Sequence, residues 1–182
     1  MDAKNVSFGK PKISGAIFSA PLGSKLPTDP ITPLDEAFKE LGFVSDDGLS
    51  NSNSPKSDTI KAWGGATVLV VQKEKADEFT FKLLETTNLE VLKEVYGAMN
   101  ITGDLKNGIT IKANAISSKP HVLVFDLSLQ AGVKRIVLPN ATIKEISDIE
   151  YTDEDAIGYE ITVACSPDKE GNTHYEYIKE VG

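Results

Sequence analysis

The chain has 182 residues, of which 40% are hydrophobic and 25% are charged; this is ordinary globular composition and predicts one domain spanning residues 1–182. Its formal net charge of −8 argues against a basic protein that holds nucleic acid by counterion release. The chain has one cysteine, so we expect no internal disulfide. It has no apolar run near ~20 residues, so we expect no membrane span. Its start lacks the apolar core of a signal peptide, so we expect the protein to stay in the cell that makes it.

The first third of the chain alternates short apolar runs with turn signals. Residues 1–14 are polar and are predicted as an extended N-terminal arm. Residues 15–20 (GAIFSA) are predicted as a short strand that Pro21 ends. Residues 35–41 (DEAFKEL) lead with acidic side chains and are followed by Gly42, which predicts a short helical turn.

Residues 46–65 (DDGLSNSNSPKSDTIKAWGG) are predicted as a long polar loop. Its Ser and Asn side chains bond readily to their own backbone, and Pro55 interrupts regular structure. Ordinary connections are about 4–6 residues long, so this segment is either flexible or a surface made to contact something. Trp63, at the base of the predicted loop, favours the second interpretation because a lone large aromatic commonly marks an anchor or an interface.

Period-2 and helical patterns follow the loop. Residues 66–72 and 78–85 are predicted as the two strands of a hairpin whose turn is residues 73–77. Residues 88–96 show apolar side chains at helical spacing and predict the one clear helix, which Gly97 ends. Its narrow apolar stripe predicts that the helix packs on the outside of a sheet.

The second half of the chain reads as a series of strands with alternating faces. The strand at residues 121–130 is predicted to be half-buried. Many short strands and one good helix predict a mainly β fold, an antiparallel β-sandwich or barrel with one flanking short α-helix. The remaining strands are predicted at residues 109–114, 134–138, 141–151, 157–165 and 173–178, with a break at Pro139-Asn140 and a hairpin loop at 168–172.

A search for catalytic or metal-binding patterns finds none. His121 and His174 lie in different predicted strands, and neither has a nucleophile beside it in the sequence. Cys165 falls on an apolar strand face, which predicts a buried and inert thiol. Residues 153–155 (DED) lack the ligand spacing of a calcium loop and read as a solvated turn. We therefore predict no enzyme activity, no cofactor and no metal site.

A β domain with open sheet edges invites pairing between copies, and natural monomers normally block such edges. Strands of neighbouring copies that pair around a rotation axis can close the sheet into a ring. The long loop and the terminal arms would then connect rings along the axis. The candidate contact residues between copies are Phe8, Asp46, Asp47, Leu49, Asn51, Asn53, Pro55, Ile60, Trp63, Tyr175 and Tyr177.

Four segments resemble, in order and spacing, the major tail proteins (tail-tube proteins) of long, non-contractile-tailed bacteriophages of the siphophage type. The resemblance extends over nearly the whole chain and implies a tail-tube fold that assembles as stacked hexameric rings around a DNA channel. It also implies that residues 46–63 form the inter-ring loop. The segments are residues 15–23 (GAIFSAPLG), 38–49 (FKELGFVSDDGL), 60–65 (IKAWGG) and 171–177 (GNTHYEY).

The resemblance further implies the setting in which the protein works. Its partners would be copies of itself, a tape-measure protein, a tail terminator and baseplate-hub proteins, with double-stranded DNA passing through the lumen without specific binding. The protein would be made and assembled in the host bacterial cytoplasm and end in the virion tail. Two alternatives stay open: a monomeric β-sandwich module for binding or capsid decoration, which needs an exposed aromatic patch, and a hydrolase on a β scaffold, which needs a His-centred cluster.

Overall fold

The computed structural model describes residues 6–12 and 16–181. This part of the chain contains eleven β-strands, one α-helix, α1 (Leu89–Tyr96), and one 3₁₀ turn (Ala98–Asn100). The strands are β1 (Lys10–Pro11), β2 (Ile17–Pro21), β3 (Lys39–Glu40), β4 (Val44–Lys61), β5 (Thr67–Leu83), β6 (Ile101–Asp104), β7 (Gly108–Ile111), β8 (His121–Leu129), β9 (Gly132–Ile146), β10 (Tyr159–Cys165) and β11 (Tyr175–Glu180).

Nine strands form one antiparallel sheet, and β6 and β7 form a separate two-stranded sheet. Seven strands of the large sheet lie in the order β3-β2-β8-β9-β10-β5-β4, while β1 adds to β8 and β11 adds to β9. The structure therefore confirms the predicted mainly β, antiparallel fold with one short helix, consistent with a β-sandwich.

The long strand β9 connects the parts of the sheet. One edge of β9 pairs with β8, and the other edge is shared by β10, along residues 141–146, and β11, along residues 132–137. The predicted break at Pro139-Asn140 is wrong, because β9 continues through both residues. Residues 168–172 are not a hairpin loop, since the strands they connect, β10 and β11, both pair with β9 and not with each other.

Helix α1 packs on the main core through Val91, Leu92 and Val95. The predicted helix at residues 88–96 is confirmed, and its ends are capped as the sequence suggests. The Asn88 side chain accepts a hydrogen bond from the Glu90 amide (3.0 Å), and the Gly97 amide donates to the Lys93 carbonyl (2.9 Å). Three buried aliphatic side chains contribute about 1.5–3 kcal/mol each by leaving water, so packing rather than propensity holds this short helix.

Strand β8 is buried on both faces, whereas the sequence predicted a half-buried strand. On one face Leu123 and Phe125 join the main core, where the Phe125 ring stacks on that of Phe79 at 5.7 Å. On the other face Val122 and Val124 join a second cluster. The alternation between large apolar and polar residues is absent from residues 122–125 because both sides of the strand are covered.

The predicted loop at residues 46–65 is instead most of β4 and the turn that follows it. Its register with β5 extends from Val44↔Leu83 to Lys61↔Thr67. The Ser- and Asn-rich sequence forms a strand because a β-prone partner lies beside it, and strand preference depends on such context more than on the residues themselves. Pro55 is tolerated because β4 ends the strand order, where a missing amide can face away from the ladder.

Three smaller predictions are also corrected. Residues 73–77 are not a turn, because β5 runs unbroken from Thr67 to Leu83 and replaces the two predicted strands. Residues 35–41 form a turn, in which the Phe38 amide donates to the Asp35 carbonyl (3.0 Å), and then β3, rather than a helical turn. The predicted N-terminal arm is described only at residues 6–12, where β1 pairs with β8; the rest of it, and Gly15 of the next predicted strand, lie outside the described residues.

A buried charge pair ties α1 to the sheet. Glu94 Oε1 and His121 Nε2 lie 2.7 Å apart, outside ideal hydrogen-bond angles, and the Ser19 hydroxyl donates to Glu94 Oε2 (2.8 Å). Burial alone would lower the pKa of His121, but the adjacent Glu94 carboxylate and the Lys119 carbonyl raise it overall. The charged imidazolium is thus favoured in the folded state.

This pair predicts a pH-dependent stability. Because the folded pKa of His121 is raised, its contribution is complete below the unfolded value of about 6.5 and is lost as pH rises through the folded pKa. We expect His121→Gln to flatten the decline in unfolding free energy over this range, measured by urea denaturation of dilute subunits. Ser19→Ala, which leaves the charge pair in place, should keep the decline; an unchanged pH slope in His121→Gln would contradict the assignment.

Candidate assembly surface

The outer half of the β4–β5 ladder projects from the rest of the sheet. Beyond the pair Asn53↔Asp77, the residues from Ser54 to Lys75 whose burial is described are all exposed. Ala76, between Lys75 and the buried Asp77, is half-exposed. We call residues 54–75 the distal hairpin. At about 3.3 Å per residue, its strands reach ~30 Å from Ser54 to Trp63. A two-stranded ribbon of this length is marginally stable in water without a partner.

Both faces of the distal hairpin carry exposed apolar side chains. Ile60 lies directly opposite Leu69 on one face, and Val68 and Val70 lie on the other. These four side chains are between 53% and 65% exposed. Edge strands in natural proteins are normally protected by charge or shortness, and a long, apolar, β-prone ribbon is a site for pairing with another chain.

Trp63 lies at the tip of the distal hairpin, not at its base as predicted. It sits in the turn between β4 and β5, where Gly64 and Gly65 adopt φ values of +106° and +91°. Residues other than glycine rarely adopt such backbone angles, so Gly64 and Gly65 allow the chain to reverse direction between β4 and β5. The indole is fully exposed, and the tip thus presents the largest aromatic side chain of the chain to solvent.

The other predicted contact residues on β4 divide into two groups. Pro55 and Ile60 lie on the distal hairpin and are exposed. Leu49 is half-buried and packs against the main core, and Asn51 is exposed but donates hydrogen bonds to Asp77 and to the Glu78 carbonyl. The remaining three, Asp46, Asp47 and Asn53, lie on the inner part of β4.

The candidates outside β4 also have different surroundings. Phe8 is 57% exposed, and the Lys10 ammonium lies 5.2 Å from its ring centre. Tyr175 and Tyr177 stack with parallel rings 6.3 Å apart and cover the second core cluster. The Tyr175 hydroxyl donates to Asp168 (2.6 Å). The tyrosines are therefore partly structural, and Phe8 remains available on the surface.

Residues 68–71 were missed as assembly candidates. The sequence ATVLVVQ predicts a strand of the body, because a buried strand and an exposed adhesive strand share one apolar pattern. A buried strand and an exposed one can be distinguished by the strand that pairs with them. Residues 57–60, which pair with this segment, are polar except for Ile60. Such a polar partner strand indicates that this part of the sheet is not covered by a second layer of the protein.

Four strands of the large sheet have an open edge in the described part of the chain. β1 pairs only with β8, β3 only with β2, β4 only with β5 and β11 only with β9. β4 provides 18 residues of edge and β11 provides six. Each open edge carries unpaired amide and carbonyl groups that another strand can satisfy.

The described side chains form no recognisable catalytic constellation. In the Ser19–Glu94–His121 group the serine hydroxyl and the imidazole both contact the carboxylate, which lies between them, so the group lacks the hydroxyl–imidazole contact of a serine nucleophile and its base. Cys165 is half-buried, not fully buried as predicted; this burial, with the charges of Asp77 and Glu78, raises the pKa of its thiol to about 12.

Cavities and carboxylate groups add no reactive site. An open groove of about 640 Å³ is lined mainly by polar and acidic side chains, among them Asp46, Asp155 and Glu160. Across residues 6–12 and 16–181, no group of three or more His, Cys, Asp or Glu side chains is arranged to hold a metal ion. No helix in those ranges is long and apolar enough to cross a membrane.

The chain matches the model of a known protein family. A family model described as "Phage tail tube protein" matches residues 13–181, which is nearly the whole chain. The search of curated proteins returns no match.

The distal hairpin predicts a region of low local stability in the unassembled subunit. It has no core of its own, so we expect its amides at residues 57–71 to exchange with solvent at least about 100-fold faster than those of β8. Hydrogen–deuterium exchange with peptide-level mass spectrometry of dilute subunits measures this difference. Equal protection of the two regions would show that the hairpin is held by contacts other than its own ladder.

Proposed function

We propose, since the chain belongs to the phage tail tube protein family, that it assembles into stacked hexameric rings that form the wall of a phage tail tube and conduct the genome during ejection. Members of this family are structural proteins of the tail. The observation that carries the proposal is the distal hairpin, a long exposed ribbon with apolar side chains on both faces. Such a ribbon is suited to a permanent contact with another subunit.

Within a ring, the open edges of the sheet are the natural contact between neighbours. Pairing an edge of one copy with an edge of the next satisfies the exposed amides and carbonyls and repeats around the axis until the ring closes. A head-to-tail contact of this kind uses two different surfaces of each subunit, and β4 and β11 supply two different open edges.

Between rings, the distal hairpin is the proposed axial contact. Its reach of ~30 Å is about three times the ~10 Å separation of packed sheets, so it can extend over the packed layers of a neighbouring subunit. Burying Ile60, Val68, Leu69 and Val70 against the next ring would contribute about 1.5–3 kcal/mol for each side chain. This contact replaces the inter-ring loop that the sequence suggested for residues 46–63.

The dimensions of a hexameric ring suit the passage of DNA. Six subunits that each contribute four strands, at about 4.8 Å spacing and ~40° tilt, enclose a backbone barrel roughly 45–50 Å across. Side chains narrow the opening to ~35–40 Å, which exceeds the ~20 Å width of duplex DNA. Six copies carry 6 × (−8) = −48 formal charges, and an acidic or neutral wall does not retain phosphate.

The same proposal defines the partners. A tape-measure protein would set tube length, a terminator and baseplate-hub proteins would close its ends, and assembly would occur in the cytoplasm of the host bacterium before the tube becomes part of the virion. Electron microscopy of the purified protein tests the central claim: tubes or six-fold rings are expected at high protein concentration. Particles that stay monomeric under all conditions would favour a β-sandwich binding or capsid-decoration module instead.

Removing the distal hairpin should abolish stacking but not folding. Replacing residues 55–75 by Asn-Gly joins Ser54 to Ala76, which are already cross-strand partners. We expect a melting temperature within a few degrees of the parent, because none of the deleted residues with a described burial is buried. Tubes of normal length in micrographs of this variant would show that the axial contact lies elsewhere.

Point substitutions on the hairpin should weaken assembly without deleting it. The double change Val68→Thr and Val70→Thr keeps strand preference but lowers apolar burial on one face, so we expect at least about a tenfold rise in the concentration needed for tubes. Trp63→Ala should act in the same direction. Sedimentation of assembled protein measures the effect, with Glu154→Ala in an exposed turn as the control. Equal effects of Trp63→Ala and Glu154→Ala would mean that Trp63 is not a contact residue.

A further inference from the structure

A buried carboxylate lies where the distal hairpin leaves the body of the protein. Asp77 is 2% exposed. Going outward along β5 from the core, it is the last buried residue, and it is followed by the half-exposed Ala76 and the exposed Lys75. It pairs with Asn53 across the ladder. Any change in the direction of the hairpin relative to the sheet must occur at this exit.

The Asp77 carboxylate accepts hydrogen bonds from two separate parts of the chain. Asn51 of β4 donates from Nδ2 to Oδ1 (2.9 Å). Thr173 Oγ1 and His174 Nδ1, which immediately precede β11, both lie 2.5 Å from Oδ2. The His174 ring also contacts Phe79 edge-on, with ring centres 5.3 Å apart. The cluster therefore connects both strands of the hairpin base to the segment that leads into β11.

This connection does not duplicate the backbone ladder. β11 pairs with β9 and has no register with β4 or β5. Among the described backbone ladders, β11 and the hairpin base are connected only indirectly, through β9 and β10. Three donors on one carboxylate fix its position in several directions at once, which a non-directional apolar contact cannot do.

The charge of Asp77 is maintained at this site. Burial on its own would raise the pKa of the carboxyl, but the hydrogen bonds from Thr173, His174 and Asn51 outweigh burial and lower it. A buried, paired charge is frequently no more stabilising than an apolar residue of similar size, so such groups can serve to specify geometry. The cluster has the properties of a geometric constraint rather than of a stability device.

We infer that Asp77, Asn51, Thr173 and His174 form a latch that fixes the angle at which the distal hairpin projects, and so positions it to meet the next subunit. The positioning role rests on the proposed function, whereas the angular constraint is a property of the single subunit. In this arrangement the hairpin and β11 move as one unit, so two of the surfaces proposed for assembly keep a constant relative orientation.

A distance measurement in the unassembled subunit tests the latch directly. Spin labels at Ser57→Cys on the hairpin and Lys179→Cys on β11, in a Cys165→Ala background, report the distance between the two elements by pulsed electron resonance. Both labelled positions are exposed. We expect one narrow distance distribution in the parent and a distribution at least about twofold broader in Asp77→Asn and in Thr173→Val, since each loses hydrogen bonds to the carboxylate.

The adjacent carboxylate provides the matched control. Glu78 follows Asp77 on β5 and accepts from Lys144 Nζ at 2.7 Å on the opposite face, so Glu78→Gln removes a charge at the same height without touching the cluster. Its distance distribution should equal that of the parent. An unbroadened distribution in folded Asp77→Asn would overturn the latch, and Thr173→Val decides the question in the same way if Asp77→Asn does not fold.

Assembly is scored separately, so that the two proposals fail independently. If the parent forms tubes, the latch variants should give about tenfold fewer tubes at equal concentration, while Glu78→Gln assembles normally. Normal tubes from a variant with a broadened distribution would overturn the positioning role. If the parent itself forms no tubes, the proposed function and with it the positioning role fail, and the distance data still decide whether the hairpin is held at a fixed angle.

Discussion

The ladder between β4 and β5 is the interaction on which the rest of the structure depends, because it begins in the core and ends in solvent. At its inner end Phe79 and Phe81 are buried; the Phe79 ring stacks on that of Phe125, and the Phe81 ring meets it edge-on. At its outer end residues 68–71 continue the same strand into water. Burial of the inner half fixes its register. The outer half has no core of its own, and its register shifts between Lys56 and Ser57 and again between Ile60 and Lys61. A strand pair built this way leaves apolar side chains of its outer half exposed in the single subunit.

Elements with strong local signals were predictable from the sequence. Helix α1 has an Asn cap, apolar side chains at helical spacing and a terminal glycine within one short segment. Strand β10 buries every second residue from Tyr159 to Val163, so its inward face and its end at Cys165 could be predicted, although it begins two residues after the predicted start at residue 157. The mainly β antiparallel class follows from many such segments, each with its own periodicity. None of these predictions requires knowledge of which strands become neighbours.

Elements defined by their neighbours were not predictable in this way. β4 lacks alternation and is rich in Ser, Asn and Pro, so its sequence resembles a loop until β5 is placed beside it. Pro139 resembles a break, yet β9 passes through it where the partner on one edge changes from β10 to β11. The candidate surface follows the same pattern: Trp63 was identified by residue type, whereas residues 68–71 were hidden in a strand that the sequence assigns to the body.

The affinity of the distal hairpin for another surface and the angle at which it projects depend on different interactions in this molecule. Apolar burial is non-directional, so the exposed valines and leucine of the hairpin can bind another subunit but cannot select an angle of approach. Hydrogen bonds to a charged group are directional, and the buried carboxylate at the hairpin exit, that of Asp77, accepts three of them. A net charge of −8 on each subunit opposes random association of copies through the exposed ribbon. In the proposed assembly, a fixed projection angle would let all contacts with the next subunit form together, and this is the physical difference between a regular wall and an aggregate.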